Sequence, residues 1–222
     1  MSQISDKAQI GEGTTVMYNA VIEDDVVIGQ NCKIGIGVII NKGARLGDNV
    51  QVWHYSNIMG GAKIGNDCRI GKYVSIERNV EIGRGCKIQN HISIFEGVTL
   101  EDLVFCGPNM RFTNVLIPRC GFPRETSDDY VKTLVKRGAT IGAGVTVVCG
   151  TTLGERCFVA AHACVTRDIL PYALVMGVPA KQVGWTCECG NPLREHDQGR
   201  LVCTDCGRAY RESDGRLEPV TE

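Results

Sequence analysis

Two groups of residues in this sequence are of types that do chemistry. The first is the run Gln89-Asn90-His91, with Glu77 and Glu96 nearby. An imidazole that titrates near pH ~6.5 can take a proton from an amine or hydroxyl nucleophile. A carboxamide can hold an amine or a carbonyl by hydrogen bonds. A surface or interface histidine and a corner asparagine are the plainer alternatives, and both stay open. Glu77 and Glu96 can orient an ammonium group, although exposed glutamates usually do nothing. Arg111, Arg119 and Arg124 are of the type that meets carboxylate or phosphate. The second group is Cys187-Glu-Cys189-Gly190 with Cys203-Thr-Asp-Cys206-Gly207. Two cysteine pairs, each followed by glycine, have the spacing of a zinc ribbon. Four thiolates close a tetrahedral site and leave no position open for catalysis, so such a metal is structural. The first pair is C-x-C and makes a tighter knuckle. A bare or disulfide-linked form and another metal are the alternatives.

A six-residue repeat must position the first group. Every sixth residue from Ile4 to Leu100 is Ile, Leu or Val; the series reaches Cys106, breaks, and resumes in a new phase at Val135, Ile141, Val147, Leu153, Val159 and Val165. That period is neither helical nor that of a simple alternating strand. It fits short strands separated by corners, the pattern of a parallel β-helix. The fourth residue after each aliphatic one is also small or apolar (Ala20, Val26, Cys32, Val38), so both point inward. The residue directly after it is often glycine (Gly11, Gly29, Gly35, Gly47, Gly71), which tolerates a crowded corner. Three such faces make an eighteen-residue triangular coil, with coils stacked about 4.8 Å apart. Residues eighteen apart then form columns: Tyr55, Tyr73, His91, Asn109; His54, Lys72, Asn90, Pro108; and Arg78, Glu96, Asn114. A sandwich of strands predicts variable spacing and hairpin turns instead.

Of the 12 cysteines, Cys32, Cys68, Cys86, Cys106 and Cys157 fall on inward positions and read as core. Cys120, Cys149 and Cys164 fit neither inward position. So many thiols imply a reducing compartment, with the cytoplasm as the simplest placement. A net charge of −1 with interspersed signs gives no basis for nucleic-acid binding or electrostatic membrane attachment. No charged-then-apolar leader and no run of membrane-spanning length is apparent. Residues 113–140 interrupt the repeat as an inserted loop, and long loops in compact frames usually carry function. Pro118, Gly121, Pro123 and Arg124 predict an irregular excursion. Ser127-Asp128-Asp129 before Tyr130 predicts a short capped helix. Leu116, Ile117, Phe122 and Tyr130 make the segment too apolar for a solvated linker. The domains are thus 1–184, the β-helix, and 185–222, a cysteine-rich tail too small for its own core and stabilised by metal. A catalytic metal held by converging histidines is disfavoured, since His54, His91 and His162 are spread along the repeat and His196 lies in the tail.

Several blocks carry a family resemblance: Lys87-Ile-Gln-Asn-His91, Glu96-Gly-Val-Thr-Leu-Glu-Asp102, Val104-Phe-Cys-Gly-Pro108, Phe112-Thr-Asn-Val115, Pro118-Arg119, Gly138-Ala-Thr-Ile-Gly-Ala143, Val147-Val-Cys-Gly150 and Gly177-Val-Pro-Ala-Lys-Gln-Val-Gly-Trp185. Together they resemble the left-handed β-helix acyltransferases. Within these they resemble the sugar-nucleotide 3-N-acetyltransferases that act on UDP-2-acetamido-3-amino-2,3-dideoxyglucuronate for surface polysaccharides. The resemblance implies left-handed coils, a homotrimer with active sites between subunits, and acetyl-CoA along the later coils. Ala143, Gly144, Ala161 and Thr166 would line the pantetheine arm through backbone groups, and Arg167 and Lys181 would approach the phosphates. Asn90 matches the residue that holds the sugar 3-amino group near the thioester. His91 stands where relatives usually carry a second asparagine, and Ile117 precedes Pro118-Arg119 where they commonly have asparagine. Glu77, Glu96, Asn109, Arg111 and Arg119 are the candidate substrate contacts. The implied reaction is direct amine attack on the thioester, driven mainly by positioning, with His91 or the CoA thiolate as proton acceptor. Two rivals remain: acetylation of another nucleotide amino sugar or of a sugar hydroxyl, and a non-catalytic trimeric scaffold.

Overall fold

The structure, a computed structural model, describes residues 1–124, 126–195 and 200–220; His196 lies outside the described residues. Strands of mostly two residues alternate with turns along three faces. The first face stacks Gln3–Ile4, Val21–Ile22, Ile39–Ile40, Asn57–Ile58, Ser75–Ile76 and Ser93–Ile94, and is continued by Arg111–Phe112, Thr146–Val147 and Cys164–Val165. The second face runs from Gln9–Ile10 to Thr152–Leu153. The third runs from Thr15–Val16 to Ala173–Met176. All neighbours within these stacks are parallel, and the register is one coil per step, as in Ile4 opposite Ile22. This is the parallel β-helix that the period predicts. Among the described residues no helix is long and apolar enough to cross a membrane.

The aliphatic column fills the axis: Ile22, Ile40, Ile58, Ile76 and Ile94 are all buried, and Val26, Cys32, Ala44 and Cys68 pack between them. Ile4, in the first described strand, is 46% exposed. The inward cysteines behave as core. Burial pushes the Cys106 and Cys157 thiols up to about 12. Cys149 is also buried, beside the point where the insertion leaves, and its N–H donates to Thr113 Oγ1 at 3.0 Å.

The corner glycines have a sharper reason than backbone freedom. A Cβ on Gly71 would lie 2.6 Å from Asn90 Oδ1, 2.7 Å from the Gln89 carbonyl carbon and 2.8 Å from Asn90 N, all on the next coil. The space is needed because that next residue folds back to cap a corner amide. The Lys72 N–H donates to Asn90 Oδ1 (2.9 Å), Gln30 to Asp48 (2.8 Å), Arg84 to Asp102 (2.9 Å), and Ile36 to His54 Nδ1 (2.9 Å). Left-handed backbone falls two residues later instead, at Asn19, Asp25, Asn31, Tyr55, Tyr73, His91 and Asn109.

The inserted loop is shorter than the sequence break. Thr133–Val135 already pairs in parallel with Val98–Leu100, so the excursion ends at residue 132 rather than 140. Its one helical turn is a 3-10 turn, Ser127–Asp129, and the cap is Thr126 rather than Ser127. The Thr126 N–H and Oγ1 both donate to Asp129 Oδ2, at 3.1 and 2.9 Å. After Ala173–Met176 the chain reverses into the antiparallel strand Lys181–Trp185. It then enters an antiparallel sheet of Arg194–Glu195, Arg200–Val202, Ala209–Ser213 and Arg216–Pro219. The tail also packs apolar side chains against the rod. Tyr210 packs 5.7 Å from Tyr172 of the last coil, and Leu193, Leu201 and Leu217 join the same buried cluster.

Candidate functional site

The corner between the third and first faces collects six of the predicted residues into one line. Its backbone forms a continuous ladder. His91 N donates to Lys72 O (3.0 Å), Asn109 N to Asn90 O (3.1 Å), Gly144 N to Pro108 O (3.0 Å) and His162 N to Ala143 O (2.8 Å). Asn90, His91, Asn109, Ala143, Gly144 and Ala161 therefore share one edge. Sequence columns stop at Asn109 because the insertion resets the spacing; the pairing of Phe105 with Thr140 restores the stack. Three coil steps of about 4.8 Å put about 14 Å between Asn90 and Ala161. The edge is bulky and aromatic at one end and carries small residues beside His162 at the other. Tyr55 and Tyr73 stack at 5.5 Å, Tyr73 and His91 at 5.1 Å, and all three are exposed. On the later coils the side chains shrink to Ala143, Gly144 and Ala161, which lets a ligand approach the main chain. His162, which sequence reasoning left unassigned, lies against Gly144.

Asn90 has a double character. One lone pair of its Oδ1 is engaged by the exposed Lys72 N–H, so its amide orientation follows from its partner. The second lone pair and the NH2 group are available to a ligand. The corner role and a chemical role are thus compatible in one side chain.

The other candidates divide between two further places. Thr166, Arg167 and Lys181 line a cleft of about 250 Å³ at the end of the rod, walled by Ile169, Val175 and Ala180. Glu77 and Glu96 sit on the next corner, in a larger cavity of about 630 Å³ closed by the inserted loop, with Arg78, Asn114, Arg124 and Tyr130. Both carboxylates there have local partners. Glu96 Oε1 accepts from Ser127 Oγ at 2.9 Å and from Asn79 Nδ2 at 3.3 Å, tying the loop to the coil. Glu77 Oε1 accepts from Ser75 Oγ at 2.9 Å. Arg124 Nη1 donates to the carbonyls of Ile117 and Phe122, so it braces the loop. Arg111 and Arg119 are exposed, on the first face and in the loop, and join neither cavity. A third cleft, of about 310 Å³, opens beside Asn90 and is lined by Trp53, Arg69, Lys72 and Gln89. The sequence offered one signal for it, a tryptophan at a corner position where glycine prevails.

The four tail cysteines converge, with their Sγ atoms all within 4.8 Å of one another. Cys187 and Cys206 are 3.4 Å apart, and Cys189 and Cys203 are 3.5 Å apart. A tetrahedral ion with Zn–S bonds of about 2.3 Å wants sulfurs about 3.8 Å apart, so the donor set fits. Each pair sits in a knuckle closed by a backbone bond, Gly190 N to Cys187 O and Gly207 N to Cys203 O, with both glycines at positive φ. Burial pushes the Cys187 thiol up to about 12, while the backbone N–H and guanidinium of Arg208 hold Cys206 down at about 6. A divalent cation would let all four ionise together. Tyr210 hydroxyl lies 3.2 Å from Cys187 Sγ and accepts the Glu188 N–H at 2.9 Å.

Comparison with known proteins agrees with this architecture. The model of the bacterial transferase hexapeptide (six repeats) matches residues 7–42, 25–60, 43–76 and 61–91, and that of the hexapeptide repeat of succinyl-transferase matches 135–167. The chain is 42% identical over 88 residues to a dTDP-3-amino-3,6-dideoxy-alpha-D-galactopyranose 3-N-acetyltransferase from Aneurinibacillus thermoaerophilus. That match covers 40% of this chain and 45% of the relative, so the chain spans less than half of the relative's length. A hexapeptide-repeat acetyltransferase from Vibrio cholerae, solved with acetyl coenzyme A, superposes with a TM-score of 0.50 at 25% identity, over 56% of this chain and 70% of that one. LpxA from Acinetobacter baumannii superposes with a TM-score of 0.72 over 83% of this chain and 72% of that one; its 15% identity speaks for the fold alone. Matched on both sides of the inserted loop and coiled six residues at a time, the chain belongs to the hexapeptide-repeat transferases, with their left-handed parallel β-helix.

Proposed function

We infer that this chain is an N-acetyltransferase that moves acetyl from acetyl-CoA to the 3-amino group of a nucleotide-linked amino sugar. The finer assignment is UDP-2-acetamido-3-amino-2,3-dideoxyglucuronate, in surface polysaccharide synthesis. One observation carries it: a single edge holds a carboxamide and an imidazole at one end and the small residues Ala143, Gly144 and Ala161 at the other. That length suits an extended thiol cofactor whose acyl end stops beside an amine acceptor. The sugar N-acetyltransferase relative and the relative solved with acetyl coenzyme A support the same chemistry.

In this scheme the neutral amine attacks the thioester carbonyl carbon, the C–S bond breaks, and CoA leaves as thiolate. No covalent enzyme intermediate forms. The Asn90 NH2 donates to the carbonyl oxygen as charge builds on it, and its spare Oδ1 lone pair accepts an amine N–H. His91 takes the proton released by nitrogen; without it, the CoA thiolate does. Arg167 and Lys181 meet the CoA phosphates at the end cleft, with Thr166 beside them. Asn109, Arg111, Arg119, Glu77 and Glu96 belong to the acceptor side, where a neighbouring subunit of a homotrimer completes the site. The exposed Leu116, Ile117 and Phe122 of the loop favour such a covered surface. The four tail cysteines hold a structural zinc ion. The enzyme works in the cytoplasm.

A panel of nucleotide amino sugars, UDP- and dTDP-linked, with acetyl-CoA and a CoA-release readout tests the assignment. Turnover is expected with the UDP-linked 3-amino uronate. Turnover only with another sugar would move the substrate, and acetyl-CoA binding without any turnover would return the chain to a scaffold.

A further inference from the structure

The cleft beside Asn90 has a chemistry of its own. Trp53 is 47% exposed, on a corner position. It borders a cleft of about 310 Å³ whose other walls are Arg69, Gly71, Lys72, Ile88, Gln89 and Asn90. Arg69 is flanked in register by Gln51 and Lys87, and Gln51 in turn by Lys33, so the third face presents a basic column. None of Arg69, Lys72 and Lys87 is in an ion pair among the described residues, although Lys63 and Arg84 elsewhere on the rod are. The whole edge is also free of acids: its corners read Met17-Tyr-Asn19, Gly35-Ile-Gly37, Trp53-His-Tyr55, Gly71-Lys-Tyr73, Gln89-Asn-His91 and Gly107-Pro-Asn109. In a chain of net charge −1, this is a local positive surface. Of the acids on the adjoining corner, Asp67 is engaged by Asn49 Nδ2 at 3.0 Å and Asp48 by the Gln30 N–H at 2.8 Å.

An exposed aromatic face beside unpaired cations and two carboxamides fits one ligand class, an anion carrying a planar ring. We propose that the Trp53–Arg69–Lys72 cleft seats the nucleoside diphosphate of the acceptor, with the base on Trp53 and the diphosphate on Arg69 and Lys72. The inference rests on the acetyl-transfer function above and deepens it. It also gives the edge a direction. The acceptor enters from the early coils, its amine reaches Asn90, and the thiol cofactor arrives from the later coils. Coenzyme A also contains a nucleoside diphosphate, but the small residues suited to its arm lie on the far side of Asn90.

The chain has 2 tryptophans, and the other, Trp185, is buried at 6% exposure. The difference in emission between the parent chain and W53F therefore reports on this cleft. Titrating the full chain with UDP alone should quench the Trp53 emission, uridine should do so weakly, and coenzyme A should not. In W53F the UDP-dependent quench should vanish. In R69Q and K72Q the indole stays, and the apparent Kd for UDP should rise about tenfold each, as for a lost charge-assisted bond. In turnover the same variants should raise KM for the nucleotide sugar while kcat holds, the signature of lost uniform binding. A Trp53-dependent quench, absent in W53F, by coenzyme A rather than UDP overturns the assignment to the acceptor. Unchanged UDP affinity and KM in R69Q and K72Q, with sugar acetylation intact, overturns the seat while the enzymatic function stands. A Trp53-dependent UDP quench without acetyl transfer to any nucleotide amino sugar supports the seat and removes the function.

Discussion

Asn90→Asp and Asn90→Ala separate the two duties of one side chain. Asn90 Oδ1 caps the Lys72 N–H, and Asp48 and Asp102 make the same cap at other corners. Aspartate at position 90 therefore keeps the cap but replaces the NH2 donor by an oxygen. Alanine removes both. The Lys72 amide is exposed, so it can regain water, and its lost bond should cost about 1 kcal/mol. For a chain of this size that lowers Tm by about 2–4 °C. Removing a donor from a developing oxyanion costs about 100- to 1000-fold in kcat. Asn90→Ala should thus lose turnover with a small drop in Tm. Asn90→Asp should lose turnover to a similar extent with Tm unchanged. The measurements are thermal melts and CoA release at saturating acceptor. Near-normal kcat in Asn90→Asp would falsify the donor role and leave Asn90 as a corner cap. A Tm loss in Asn90→Asp as large as in Asn90→Ala would refute the cap equivalence itself.

Three further outcomes are expected. Gly71→Ala places a Cβ within 2.8 Å of three atoms of the next coil, two of them backbone, and should cost about 1–3 kcal/mol in a denaturant titration; a silent substitution would mean the coils part more easily than the close contacts imply. His91→Asn keeps a residue at ease in the left-handed backbone of this position, so the fold should hold while kcat falls; an unchanged kcat assigns the proton to the CoA thiolate. Stripping metal with a strong chelator should release about one zinc per chain and loosen Lys181–Trp185, which runs directly into Cys187. Trp185, whose Nε1 donates to Glu212 at 2.9 Å, should then shift its emission to the red, and acetyl-CoA should bind more weakly. Metal loss without either change would uncouple the tail from the end cleft.

Much of this molecule is legible in its sequence, because a solenoid repeats the same local problem. Each coil must bury an aliphatic residue from each face, and no coil can do so alone, so Ile4 through Leu100 state the architecture in one dimension. The same arithmetic places the inward cysteines in the core and stacks Tyr55, Tyr73 and His91 before any coordinate is known. The cysteine pairs likewise declare a four-thiol cluster by spacing.

What the sequence could not decide lies wherever the period fails. The inserted loop hides which later residues continue the Asn90 edge, and only the pairing of Phe105 with Thr140 sets Gly144 and His162 in line with His91. Residues 133–135 look like loop in sequence because strand pairing with Val98–Leu100 is a long-range contact. Glu77 and Glu96 read as free carboxylates, yet Ser75, Asn79 and Ser127 engage them. The corner glycines read as residues that tolerate a crowded corner, and the structure shows what crowds them: the capping side chain and backbone of the next coil. The repeat therefore determines the rod and the chemistry on offer. Which groups face one another, and which are already occupied by a partner, is decided by coils meeting across distances that a six-residue rule does not contain.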